Sequence, residues 1–181
     1  NTTADGNTAV GYDSLKVNTT GGYNVAVGAY SLDANTTGQI NTGVGWGTLS
    51  LNTTGANNTA FGASALANST TGDDNTAIGK DALLANTTAD TNVAIGQGAM
   101  QANTTGPWNV AVGRTALKAN TTAHGHVAIG YEALFDNTTG EGCTAVGFQA
   151  VENNTTANSN TGVGYRALQA NTTGSQNTAV G

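Results

Sequence analysis

The chain has 181 residues, of which 9% are charged and 6% aromatic, while Gly (26), Asn (23) and Thr (32) supply much of the rest beside a single Pro. So little Glu, Lys and Leu excludes coiled coils and amphipathic helix bundles. Five Lys and Arg against eleven Asp and Glu give a net charge of -6, the wrong sign for a nucleic-acid or anionic-membrane partner.

A seventeen-residue unit repeats from end to end without insertion or deletion, ten full copies and an eleventh of eleven residues, so residues 1–181 read as one continuous array. Units start at Asn1, Asn18, Asn35, Asn52, Ser69, Asn86, Asn103, Asn120, Asn137, Asn154 and Asn171, with the consensus N-T-T-G-x-x-N-T-A-V-G-x-x-A-L-x-A. The chain opens directly on the repeat, without a Met, and stops inside a unit, which suggests a window of a longer protein. A fixed period of this size predicts stacked coils that bury their apolar faces against one another.

In chain order, the unit opens on N-T-T-G or N-T-T-A, a turn with Gly and Asn where positive φ is often needed. N-T-A-V-G follows. Its β-branched eighth and tenth residues flank a small ninth, the period-two pattern of a short strand, and its Gly marks a corner. The closing x-x-A-L-x-A, as in Lys80 to Ala85, is too short for an isolated helix and is expected to be extended. Two positions predict the core: the tenth, always apolar from Val10 to Val180, and the fifteenth, Leu except at Met100 and Val151. The fifth, sixth, twelfth, thirteenth and sixteenth vary freely, as sites facing water would.

The expected fold is therefore all-β, a parallel β-roll or β-solenoid of 17-residue coils. At ~3.3 Å per residue and ~4.8 Å between coils, each coil has a contour of roughly 56 Å and the stack spans about 50 Å. Equivalent residues form ladders, along which repeated Asn side chains can pass amide hydrogen bonds. Two or three sizeable apolar side chains per coil make a thin core, which favours association of several chains.

The segments N-V-A-V-G (Asn24 to Gly28), N-T-A-I-G (Asn75 to Gly79) and N-V-A-I-G (Asn92 to Gly96) resemble the head repeats of trimeric autotransporter adhesins. Gly164 to Gly174, G-Y-R-A-L-Q-A-N-T-T-G, is similar to repeat arrays in tail-fibre-like proteins of phages and bacteria. The resemblance covers the whole chain. It implies a left-handed parallel β-roll, homotrimeric, in an extracellular fibre shaft, cell-surface appendage or virion fibre. The longer, strictly uniform repeat departs from the adhesin heads.

Catalytic constellations are not found, and no enzyme activity, metal or cofactor is expected. Asp73 and Asp74 lie in a variable turn with no patterned partner. The lone Cys143 forms no intrachain disulfide. His126 and Cys143 replace the seventh-position Asn in successive coils, an interrupted Asn ladder rather than two ligands of an incomplete zinc site. No apolar run reaches the ~20 residues of a membrane helix, so no membrane insertion is expected.

Asn-x-Thr is the N-glycosylation acceptor, and the array offers it at Asn1, Asn18, Asn35, Asn52, Asn86, Asn103, Asn120, Asn137, Asn154 and Asn171, with Asn68 displaced by one where Ser69 replaces Asn. A structural Asn/Thr ladder explains the same pattern. Twelfth-position aromatics (Tyr12, Trp46, Tyr131, Phe148 and Tyr165) form a candidate surface contact for sugars or a neighbouring chain, with the last three in consecutive coils. Thr rows also suit ice binding, but adjacent Thr in a strand would point to opposite faces. The expected function is a non-enzymatic structural repeat that self-associates as a homotrimer or filament. A glycan-coated or carbohydrate-binding surface module is the first alternative, and an ice-binding solenoid the second.

Overall fold

The computed structural model describes residues 3–181. It is all-β, a parallel solenoid with one three-residue strand per coil: β1 (Thr8–Val10), β2 (Val25–Val27), β3 (Thr42–Val44), β4 (Thr59–Phe61), β5 (Thr76–Ile78), β6 (Val93–Ile95), β7 (Val110–Val112), β8 (Val127–Ile129), β9 (Thr144–Val146), β10 (Thr161–Val163) and β11 (Thr178–Val180). Each strand pairs in parallel with the next in chain order, so one eleven-stranded sheet runs along the stack. The register is the repeat itself, with Val93 opposite Val110 and Ile95 opposite Val112. No helix occurs among the described residues.

Hydrogen bonds between coils continue beyond the strands. The fifteenth-position amide donates to the fourteenth carbonyl one coil on, as in Leu32 to Thr48 at 2.9 Å, and the seventeenth to the sixteenth, as in Ala34 to Ser50 at 3.2 Å. At the N-T-T corner the amides of Thr36 and Thr37 and the Thr36 hydroxyl all reach the Thr53 carbonyl at 3.0 to 3.2 Å. The backbone of each coil is thus satisfied by its neighbours on several sides.

The closing A-L-x-A segment is neither helix nor regular strand. Its thirteenth and fifteenth residues take left-handed φ, for example Ser64 (57°), Leu66 (53°) and Val151 (52°), and so does the sixth, for example Trp108 (58°). Adjacent residues of a strand face opposite sides. The reversal at Leu66 instead turns both Ala65 and Leu66 inward, where both are buried. A bulky left-handed residue costs about 1–2 kcal/mol, and full burial of a Leu contributes about 1.5–3 kcal/mol, which offsets it. The eleventh Gly is required by a close approach: a Cβ on Gly62 (φ 121°) would lie 2.8 Å from the Gly79 carbonyl carbon.

The tenth position is not core. In the strands the small ninth residue turns inward, fully buried at Ala94, and the tenth faces out, 37% exposed at Ile95 and 56% at Phe61. The reason is interior width. Most coils already hold two Asn, an Ala or hydroxyl residue and a Leu inside, which leaves room for a methyl group and not for a branched side chain. Even the methyl is excluded in two coils. A Cβ at Gly43 would meet the Ser31 and Thr48 hydroxyls at 2.6 and 2.9 Å, and one at Gly162 would meet Val151 Cγ2 at 2.6 Å.

The two ninth-position glycines therefore compensate for the one Thr at the fourteenth position and the one Val at the fifteenth. Gly162→Ala alone is expected to lose about 1–3 kcal/mol of stability in urea unfolding. The same change with Val151→Leu is expected to recover part of it, since a Cβ at 162 also comes within 2.9 Å of the Ala167 carbonyl oxygen, and a strictly additive double variant would contradict this packing.

Candidate functional site

Two polar ladders run through the interior. In the first-position ladder, Asn35 Nδ2 donates to Asn18 Oδ1 at 2.8 Å and to its own coil's Gly38 carbonyl at 3.0 Å. The pattern recurs at Asn52, Asn120 and Asn154. In the seventh-position ladder the Asn oxygen accepts the next coil's amide, Asn41 N to Asn24 Oδ1 at 2.9 Å, while its nitrogen donates to the fourth-position carbonyl one coil on, Asn41 to Gly55 at 2.7 Å. Most of these buried amides are bonded on both ends, which makes them tolerable; Asn52 Oδ1, Asn86 Oδ1 and Asn92 Nδ2 are the exceptions among the described residues.

Ser69 interrupts the first ladder. Its hydroxyl and the Asn52 Oδ1 that a residue-69 amide would serve are buried without a hydrogen-bond partner, and Asn86 Nδ2, with no ladder acceptor, donates to the Ala89 carbonyl at 3.1 Å. Ser69→Asn is expected to restore donor and acceptor there and to raise unfolding stability by about 1–3 kcal/mol, read from denaturant midpoints.

His126 and Cys143 stand in the second ladder as substitutes for Asn. The imidazole Nδ1 accepts the Cys143 amide at 3.1 Å, so the ring proton lies on Nε2, facing the Gly140 carbonyl. Asn137 Nδ2 lies 3.2 Å from the same Nε2. Burial pushes the His126 pKa down to about 4. The Cys143 thiol donates to the Ala157 carbonyl at 3.4 Å, and burial pushes its pKa up, as in an unreactive structural thiol. No group of three or more His, Cys, Asp or Glu is placed to hold a metal among the described residues.

His124 lies outside, with Nδ1 3.4 Å from Glu141 Oε1. Asp73 caps backbone: its Oδ1 accepts the Ala56 amide at 2.6 Å, as Asp90 Oδ1 accepts that of Asp73 at 2.8 Å.

Of the sequon residues, Asn1 falls outside the described part of the chain. Asn18, Asn35, Asn52, Asn86, Asn103, Asn120, Asn137 and Asn154 are buried, and the nitrogen that would carry a glycan is inside the coil. Asn171, in the terminal coil, donates to Asn154 Oδ1 and to Gly174. Among the described residues of this set, only Asn68 is exposed.

The aromatics separate into two groups. Tyr131, Phe148 and Tyr165 form the stack that their spacing suggests, with centroids 5.2 and 5.3 Å apart and planes within 15°. Arg114 lies 5.6 Å from the Tyr131 centroid and Arg166 5.1 Å from that of Tyr165, so the ring faces are largely engaged within the stack. Tyr12 and Trp46 each pack edge-to-face with Tyr30, at 5.5 and 6.3 Å. Tyr30 is a thirteenth-position residue in left-handed conformation (φ 59°), and nothing in a strand-based reading places it beside them.

The adjacent Thr residues do not face opposite ways. Asn35 and Gly38 on either side are buried, and Thr36 and Thr37 both keep to the outside of a bend. The second-position hydroxyl is spent on the next coil's carbonyl. The longest apolar surface is instead the tenth-position row on the strand face, Val, Ile or Phe in every coil, with Thr or Val at the eighth position beside it.

No protein-family model, curated protein or solved structure matches the chain.

Proposed function

We propose that the chain is a non-enzymatic structural repeat: a segment of an extracellular fibre, filament or adhesin shaft that associates through its strand face into a homotrimer of left-handed rolls. The observation that carries this is the uninterrupted row of outward Val, Ile and Phe along all the coils. Single chains seldom leave so continuous an apolar surface to water, whereas copies sharing it supply the burial that a narrow, Ala- and Asn-lined interior lacks. The in-register parallel stack adds length without changing cross-section, as a spacer requires. Similarity of the N-T-A-V-G units to adhesin-head and tail-fibre repeats supports the same reading.

Light scattering on the purified chain tests it. Three chains per particle are expected, with Ile95→Lys plus Val112→Lys yielding single chains of unchanged circular dichroism. A wild-type chain that stays single at all concentrations would overturn the shared face.

A further inference from the structure

The outer face formed by the thirteenth and sixteenth positions mostly carries long side chains, such as Tyr30 with Asp33 and Asp81 with Leu84. In the third and fourth coils these positions hold Gly47, Ser50, Ser64 and Ala67 instead. The gap is a cleft of about 470 Å³, within the range of small-molecule sites. Tyr30 and Trp46 line it with their rings at 82° to one another, and Leu51 and Leu84 add aliphatic wall.

Asp33 lines the same cleft. Its Oδ1 is buried with no hydrogen-bond partner, and the nearby Lys16 is bonded to Asp13 at 2.9 Å instead. Burial pushes the Asp33 carboxyl pKa up, which a bound positive charge would reverse. Nothing comparable exists at the Tyr131 stack, whose ring faces pack on one another and on Arg side chains.

Two aromatic rings meeting near a right angle beside a carboxylate with an unpartnered oxygen attract a cation. The rest of the lining selects which kind. A primary ammonium needs three acceptors and a sugar needs several partners, but the Ser50 hydroxyl already donates to the Ala67 carbonyl and much of the wall is aliphatic. A quaternary ammonium has no N–H to satisfy and presents methyl groups to the rings. We propose that this cleft binds the trimethylammonium head of a small soluble molecule of the choline class, with Trp46 and Tyr30 against the methyl groups and Asp33 balancing the charge. The chain's net charge of -6 favours approach of such a cation.

The test is fluorescence titration of the full chain carrying Trp108→Phe, which leaves Trp46 as the single Trp. Choline chloride is expected to change Trp46 emission saturably, beyond a sodium chloride control. Asp33→Asn and Tyr30→Leu, each with unchanged circular dichroism, are expected to weaken binding about tenfold. The uncharged isostere 3,3-dimethylbutan-1-ol is expected to bind about tenfold more weakly than choline. No saturable change with choline, equal response to the isostere, or undiminished binding by Asp33→Asn would each overturn the proposal. So would binding to phosphatidylcholine vesicles without binding of free choline, or a methyl glucoside response stronger than that of choline.

Discussion

Asn35→Asp, a change of one side-chain NH2 to oxygen, is expected to destabilise the solenoid by about 3–5 kcal/mol at neutral pH. Asn35 Nδ2 serves two acceptors, Asn18 Oδ1 and the Gly38 carbonyl, and its Oδ1 receives Asn52 Nδ2 at 2.9 Å. A carboxylate keeps the second role and fails the first, setting an ionised oxygen against two other oxygens in a buried site. Asn35→Ala removes the same bonds without the charge and is expected to cost less, about 1–3 kcal/mol. The introduced carboxyl's pKa is raised in the folded state by burial, so the folded chain binds the proton more readily than the unfolded one. Its penalty therefore shrinks as pH falls toward that raised value. Urea unfolding of the three chains across pH checks both the order and the trend, and an Asp variant no worse than Ala at pH 7 would refute the ladder.

The second large effect is a loss of stability in mild acid that belongs to His126. Its pKa is about 4 in the folded chain against an ordinary value of 6.5, because the neutral ring is buried between Cys143 and Gly140. The unfolded state thus binds the proton first. Stability from this site is complete above pH 6.5 and declines between pH 6.5 and 4, by a total of about 3 kcal/mol. Asn at the seventh position performs the same two hydrogen-bonding tasks without a titrating ring, as Asn41 shows. His126→Asn is accordingly expected to match the parent near neutrality and to exceed it progressively down to pH 4. Thermal or urea unfolding of both chains at half-unit pH steps measures the difference, and a difference independent of pH would disprove the assignment.

The repeat, the parallel stack and the Asn ladder were legible from spacing alone, because a uniform seventeen-residue period places equivalent residues above one another. So was the Tyr131, Phe148 and Tyr165 stack. The inward face of the strand was not. Val, Ile and Phe at the tenth position look like core by bulk, yet the width of the interior is set by two Asn, and only the ninth-position methyl fits. A signal was present in the compensation of Gly43 with Thr48 and of Gly162 with Val151, since small ninth residues coincide with unusual fourteenth and fifteenth ones.

The closing segment was illegible for a different reason. Left-handed φ at Leu66, Val151 or Trp108 runs against local preference and is imposed by stacking between coils. That conformation also carries Tyr30 to the side of Trp46, so the cleft with Asp33 appears only in three dimensions.

The most direct measurement compares two cysteine variants, Ala94→Cys and Ile95→Cys, in a Cys143→Asn background. Ile95→Cys is expected to form disulfide-linked chains on mild oxidation, because the tenth-position row faces out and, in the proposed assembly, is shared between copies, while Ala94→Cys remains a protected free thiol. Rapid labelling at 94 with a protected, unlinked thiol at 95 would contradict both the inward ninth residue and the shared strand face.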